Sequence, residues 1–250
     1  LGTVLVLLCR KNWLNWAAAG SATAGVTLAM LALYRVTAYA SEHSFYSRLM
    51  EMPAATLYRL QLLPVLVQDK AFYDNSGGGV TLSGGEPLMQ PEFLEALLRL
   101  AAEAGIRSYI ETSGFANADV LARISPLTDC FLFDWKLTDP ALHKTYIGVD
   151  NSLILHNLRY LAGQHKRIVL RCPIIPGVND CTAHFEGIAR LASSLDAIDH
   201  VELMAYHTMG ESKKGQLGRA DSFRAEIPEQ EQKQQWLSQL RALGCDARLG

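Results

Sequence analysis

No two of the five cysteines, Cys9, Cys130, Cys172, Cys181 and Cys245, form a CxxC pair. Thiols scattered in this way supply neither a disulfide framework nor a visible metal-ligand cluster. An excess of one charge is missing too. The 23 Lys and Arg stand against 25 Asp and Glu, a formal charge of −2. That balance argues against a nucleic-acid binder working through a basic surface. The chain also lacks a clean membrane span. The uncharged run of 22 residues from Trp13 to Tyr34 has the length for one. Asn15, Gly20, Ser21, Thr23, Gly25 and Thr27 interrupt it, however, and its seven alanines add little transfer energy. Basic residues flank both ends (Arg10 and Lys11; Arg35), so no orientation is set. A secretory leader would require a disulfide-tolerant mature chain, for which the cysteines give no support.

What is present is a chain of 250 residues, 49% hydrophobic and 19% charged. That suffices for a folded core in one large domain or two small ones. The first 60 residues hold seven charged side chains and no Asp, while the remaining 190 hold 41 charged side chains. The change of density divides the chain into an atypical Ala-rich segment, 1–60, and a domain, 61–250.

Within the domain, strand-like and helix-like stretches alternate. Val80–Ser83 reads as a strand ending at Gly84-Gly85. Pro91 to Ala104 reads as a helix with Phe93, Leu94, Leu97, Leu98 and Ala101 on one face, Pro91 in its first turn and Gly105 at its end. Further strands are expected at Ser108–Thr112, Cys130–Trp135, Arg167–Cys172 and His200–Ala205. Helices are expected from Asn117 (as cap) to Ile124, and at Asn151–Ala162, Thr182–Ser194 and Pro228–Leu243. This alternation predicts βα units around a parallel sheet. Right-handed crossovers then put the loops that follow the strands on one edge, where such folds bind ligands. Polar residues recur at that edge: Glu86, Glu111 to Ser113, Asp134 with Lys136, Arg171 and His207.

The stretch Gln68–Pro87, with Val80-Thr81-Leu82-Ser83-Gly84-Gly85-Glu86-Pro87 at its end, resembles a known family. So do Ile110-Glu111-Thr112-Ser113-Gly114, Phe133-Asp134-Trp135-Lys136, and His143-Lys144 with Tyr146-Ile147-Gly148. Asn151 with Ile154-Leu155 and Asn157-Leu158, Arg171 through Asp180, Tyr206-His207 and Leu217-Gly218 continue the series in order. Over about residues 62–250 the chain is similar to the radical S-adenosylmethionine enzymes that activate glycyl-radical enzymes, the pyruvate formate-lyase activating enzyme group. The resemblance implies an α/β fold, a partial TIM-type (β/α)6 barrel, here with its first βα unit missing or replaced. It implies that Gly84, Gly85 and Glu86 hold the methionine amino group of S-adenosylmethionine. Two glycines permit close approach, and a carboxylate accepts a charge-assisted bond from an ammonium. It further implies roles around the cofactor for Thr112, Ser113, Asp134, Lys136, Arg171 and His207. Lys136 and Arg171 suit the carboxylate and ribose, and His207 the adenine side. Glu111 stands where members carry Asp, and with Asp134 it could line a small cation site.

The implied activity is oxidoreductive. A reduced 4Fe–4S cluster splits S-adenosylmethionine, and the resulting radical takes a hydrogen from a backbone glycine of a partner, a formate acetyltransferase-like glycyl-radical enzyme. Reduced flavodoxin or ferredoxin is the implied electron donor, and the cytoplasm the implied location. The family's cluster ligands, three thiolates spaced CxxxCxxC, are absent from this sequence. Two explanations stay open. The chain is a truncated or degenerate member that binds the cofactor or the partner without a cluster, or residues 1–60 are read from a shifted frame. Ala22, Val26 and Ala29 have the spacing that a shifted cysteine triplet would leave. A phosphate-binding aldolase or isomerase barrel is the rival enzyme class, suggested by the glycines of Ser76–Gly79. That stretch precedes a strand rather than opening a helix, the reverse of a phosphate loop.

Overall fold

The computed structural model describes residues 62–207 and 225–250, together with the backbone of Leu5–Leu8. The expectations for residues 1–60, including the Trp13–Tyr34 run and the Ala22, Val26, Ala29 spacing, lie outside the described residues apart from Leu5–Leu8. The Leu217-Gly218 motif lies outside them as well.

A seven-stranded sheet forms in sequential order: β1 (Leu5–Leu8), β2 (Gly79–Ser83), β3 (Arg107–Thr112), β4 (Cys130–Asp134), β5 (Arg167–Ile174), β6 (Ile198–Ala205) and β7 (Ala247–Leu249). Strands β2 to β7 run parallel, and β1 pairs antiparallel with β2. Sequential parallel order winds the chain one way only, as in a barrel sector, whereas a doubly wound sheet reverses direction. The six parallel strands agree with the expected α/β partial barrel. The neighbour of β2 is an antiparallel strand, so it is not a barrel unit.

Two short helices, α1 (Leu63–Gln68) and α2 (Lys70–Ser76), precede β2. The crossovers carry α3 (Pro91–Glu103), α4 (Ala118–Ile124), α5 (Pro140–Ile147), α6 (Ser152–Gly163), α7 (Thr182–Ser193) and α8 (Gln230–Ala242). Their apolar stripes cover one face of the sheet. Leu94, Leu97, Leu98 and Ala101 of α3 join Val80, Leu82, Ile110, Phe131, Phe133, Leu170 and Cys172 in the main core. The opposite face holds a small apolar group, Cys130, Leu132 and Val169 with Tyr109 packed on it. Strand β4 is covered on both sides along Cys130–Phe133, which explains its unbroken apolar text. Gly79 is required where β2 meets β3, because a Cβ there would collide with the Arg107 carbonyl.

The departures from expectation are local. Helix α5 was legible only as motif residues; Asp139 caps it by accepting from the Leu142 N–H at 2.8 Å. Strand β5 continues through Pro173 to Ile174. Asn117 and Asn151 occupy helix N-cap positions, yet neither makes a side-chain cap bond.

Candidate active site

Strand β2 ends in Gly84, whose φ of +144° is glycine territory, and in Gly85, where a Cβ would meet nothing within 4 Å. The main chain there faces open space. Glu86 follows, opening a 3-10 turn at Pro87–Met89. Its Oε1 accepts from the Thr112 hydroxyl at 2.6 Å and from the Leu88 N–H at 3.2 Å. Its Oε2 accepts from the Ser113 N–H at 2.9 Å and the Ser113 hydroxyl at 2.6 Å. Four donors occupy the four lone-pair directions of the carboxylate. The Thr112 oxygen in turn accepts from the Gly114 N–H at 2.9 Å. Glu86 is thus fixed between two strand tips. An ammonium approaching it would have to share an oxygen with one of these donors or rotate a hydroxyl away.

One strand along, Lys136 Nζ donates to Asp134 Oδ2 at 2.8 Å, both side chains being partly exposed. They edge a cleft of about 280 Å³ whose wall includes Ser113, His143, Ile147 and Ile154. Its size is at the low end of ligand pockets, roughly 300–1,000 Å³. His143 is buried, and its Nδ1 lies 2.6 Å from the Val149 carbonyl. A carbonyl only accepts, so that nitrogen carries the proton. Paired charges beside apolar walls suit a zwitterionic ligand with an aliphatic portion.

Arg171 lies on β5, level with Asp134 on one side and Glu202 on the other. Its guanidinium meets Glu111 at 2.6 Å and Glu202 at 3.8 Å. Its buried Nε has no hydrogen-bond partner. Polar contacts continue from Glu202 to His200 at 3.3 Å and from His200 to Asp199 at 3.1 Å, and Asp199 forms an ion pair with Arg167 at 2.8 Å. Glu111 and Asp134 are therefore each engaged by a protein cation, Arg171 and Lys136 respectively. Among the described residues no group of three His, Cys, Asp or Glu could hold a metal ion.

Of the residues singled out in the sequence, Glu86, Thr112 and Ser113 make one hydrogen-bonded unit. Asp134 and Lys136 share a cleft with Ser113, and Arg171 is on the adjoining strand. His207 lies two residues beyond β6, exposed, and no hydrogen bond or ion pair joins it to the others. Glu202 and His200 were missed. Their signal was alternation along β6, which puts both on the inner face with Met204.

The described cysteines do not fit a cluster. Burial pushes the Cys130 thiol up to about 11 and raises those of Cys172 and Cys245, whereas cluster ligands are thiolates. Cys181 is exposed and alone. Cys9 lies outside the described residues.

Residues 65–192, about half of the chain, match the Radical SAM superfamily. The chain belongs to that superfamily. Within it, the radical SAM chain groups with activating enzymes of glycyl-radical enzymes, as its resemblance implied. It is 43% identical over 162 residues to the isethionate sulfite-lyase activating enzyme of Desulfovibrio desulfuricans, covering 63% of this chain and 51% of that one. It is 37% identical over 165 residues to the benzylsuccinate synthase activating enzyme of Thauera aromatica, covering 65% and 50%. The chain spans about half the length of these curated relatives. A solved domain of the pyruvate-formate lyase-activating enzyme from Bacteroides vulgatus superposes with a TM-score of 0.58 at 30% identity, covering 69% of this chain and 99% of that one. A radical SAM methyltransferase from Sphaerobacter thermophilus, 20% identical, shares the fold with a TM-score of 0.55 over 76% of this chain and 56% of its own. No described helix of the radical SAM chain is long and apolar enough to cross a membrane.

Proposed function

We propose that this chain is the S-adenosylmethionine-binding barrel of an enzyme that activates a glycyl-radical enzyme. The observation carrying this reading is the row of polar groups along one sheet edge: Glu86 tied to Thr112 and Ser113, then Asp134 with Lys136, then Arg171. S-adenosylmethionine supplies a sulfonium that reductive cleavage turns into a radical source. The chain's own residues bind and orient it. Lys136 offers a cation to the methionine carboxylate, the negative charge of Glu86 attracts the ammonium, and the apolar wall of the cleft excludes water. In this reading Gly84 and Gly85 leave the main chain open to the ligand, Arg171 faces the ribose, and His207 takes the adenine side.

The partner is a glycyl-radical enzyme of the formate acetyltransferase-like class, the donor a flavodoxin or ferredoxin, and the setting the cytoplasm. Residues 61–250 act as the barrel domain, and residues 1–60 as an atypical segment that lends Leu5–Leu8 to its sheet. The described cysteines do not provide for a 4Fe–4S cluster, and that specific observation favours a second reading: a chain that binds the cofactor or partner without cleaving the cofactor. Anaerobic reconstitution followed by iron and sulfide analysis distinguishes the two. Four irons per chain support activation, and none supports the binding-only form. Calorimetric titration with S-adenosylmethionine tests what both share; no heat of binding, or binding unchanged in Glu86→Ala, overturns the site.

A further inference from the structure

Asn151, Asn157 and Asn179 are 4%, 1% and 2% exposed. Each spends its side-chain amide in the same way, giving both Nδ2 protons to main-chain carbonyls at the strand tips and in the loops that follow them. Asn157 donates to Gly114 O and Ala116 O, both at 2.8 Å. Asn151 donates to Leu137 O at 2.9 Å and Thr138 O at 3.0 Å. Asn179 donates to Lys136 O and Pro173 O, both at 2.8 Å, while its Oδ1 accepts from the Ile175 N–H at 2.7 Å. Two acceptors at one end of each amide leave no freedom in assigning oxygen and nitrogen.

We infer that these three asparagines are positioning residues, which hold the loops bearing Ser113 and Lys136 and the end of β5 in their binding shape before any ligand arrives. Local structure does not account for them. Asn is a poor interior residue for a helix such as α6, yet Asn157 sits in its middle. Asn151 is at the N-cap of α6 but makes no cap bond. Four of the carbonyls they hold, of Ala116, Lys136, Leu137 and Thr138, lie in loops beyond the strands. Gly114 O also accepts from the Ala116 N–H at 3.1 Å, and Pro173 O lies at the end of β5. Buried carbonyls must be paired. Gly114 shows why a side chain is needed. Its φ of +72° turns the chain away from β3, and the Phe133 ring leaves no room for a Cβ. The Asn157 amide then collects the carbonyls on either side of Phe115. Asn179 bridges β4 to β5, and so couples the Lys136 main chain to the strand that bears Arg171.

This inference deepens the proposed function, since the loops are those assigned to S-adenosylmethionine, but its first measurement needs no ligand. The variants are Asn157→Asp and Asn179→Asp, which turn two donors into an oxygen facing two carbonyls. Asn157→Ala and Asn179→Ala serve if the charged forms do not fold. Leu240→Ala, fully buried in α8, is a control for loss of stability alone. Hydrogen exchange by mass spectrometry, without ligand, is expected to quicken at least tenfold at 113–116 in the Asn157 variants and at 136–138 and 174–175 in the Asn179 variants. Leu240→Ala should show no such localisation. The dissociation constant for S-adenosylmethionine is expected to rise at least tenfold in the same variants and stay within twofold in Leu240→Ala. A folded variant with wild-type exchange, with loosening spread over the whole chain, or with locally loosened loops and an unchanged constant overturns the inference. If the wild type does not bind S-adenosylmethionine, the proposed function fails, and the exchange pattern alone decides the role of the asparagines.

Discussion

The Thr112 hydroxyl donates to Glu86 Oε1 across the tips of β2 and β3 at 2.6 Å. The bond is short because its acceptor is charged, and the same oxygen atom of Thr112 accepts from Gly114. Thr112→Val keeps the shape and deletes both interactions. It should cost about 2 kcal/mol, the usual magnitude for a bond to a charged group, as read from urea denaturation. S-adenosylmethionine binding should weaken with it. A change of less than about 0.5 kcal/mol with unaltered binding would show that the tip is held by other contacts.

Arg171 neutralises two carboxylates, Glu111 at 2.6 Å and Glu202 at 3.8 Å. Glu202 is buried. Arg171→Met fills the volume and leaves the acids without their cation, a loss of about 3–5 kcal/mol at neutral pH. The deficit should shrink on acidification, as the carboxyls that lose the Arg171 charge take up protons. Denaturation midpoints of variant and wild type that stay parallel from pH 7 to pH 4.5 would refute this.

His184 provides a second pH dependence of the same sign, carried by a single buried imidazole. Its Nδ1 accepts from the Thr138 N–H at 3.2 Å, and its buried Nε2 has no partner. Burial lowers its pKa from 6.5 to about 4. Between these values the unfolded chain binds the proton and the folded chain does not, so stability rises with pH. The full benefit is present above about 6.5 and is lost as pH falls toward 4. At about 1.4 kcal/mol per pH unit the swing is about 3 kcal/mol. His184→Leu should remove this slope in denaturation measured at intervals from pH 7 to pH 4; a variant that retains it would assign the slope to another group.

Much of the scaffold was legible in the sequence. Strands such as Cys130–Asp134 are apolar runs, because a central parallel strand is covered on both faces. Helix α5 was not legible as a helix, since only His143 in it is buried and no apolar stripe marks it. Strand β7 has three residues, too few for a period to appear. At the site, the residue types were readable because strand ends recur at regular intervals. Their partners were not. The pairing of Arg171 with Glu111 and Glu202 depends on register between strands far apart in sequence. Asn151 carries a capping residue's identity, but its side chain is used by a loop 13 residues earlier.

The thiols should differ sharply in reactivity. Cys130, Cys172 and Cys245 are buried, with thiols raised above their ordinary value, while Cys181 is exposed. Brief treatment of the native protein with iodoacetamide at pH 8, followed by peptide mapping, should label Cys181 well ahead of these three. Equal labelling of Cys130 would contradict the closed inner face of the sheet.

The three asparagine clamps are made of neutral dipoles, whereas Lys136, Glu86 and Arg171 act through net charge. Added electrolyte screens the second kind of force and barely touches the first. Raising ionic strength should therefore weaken capture of a charged ligand while leaving the receiving loops as ordered as before, so that affinity and architecture respond to different variables of the solution.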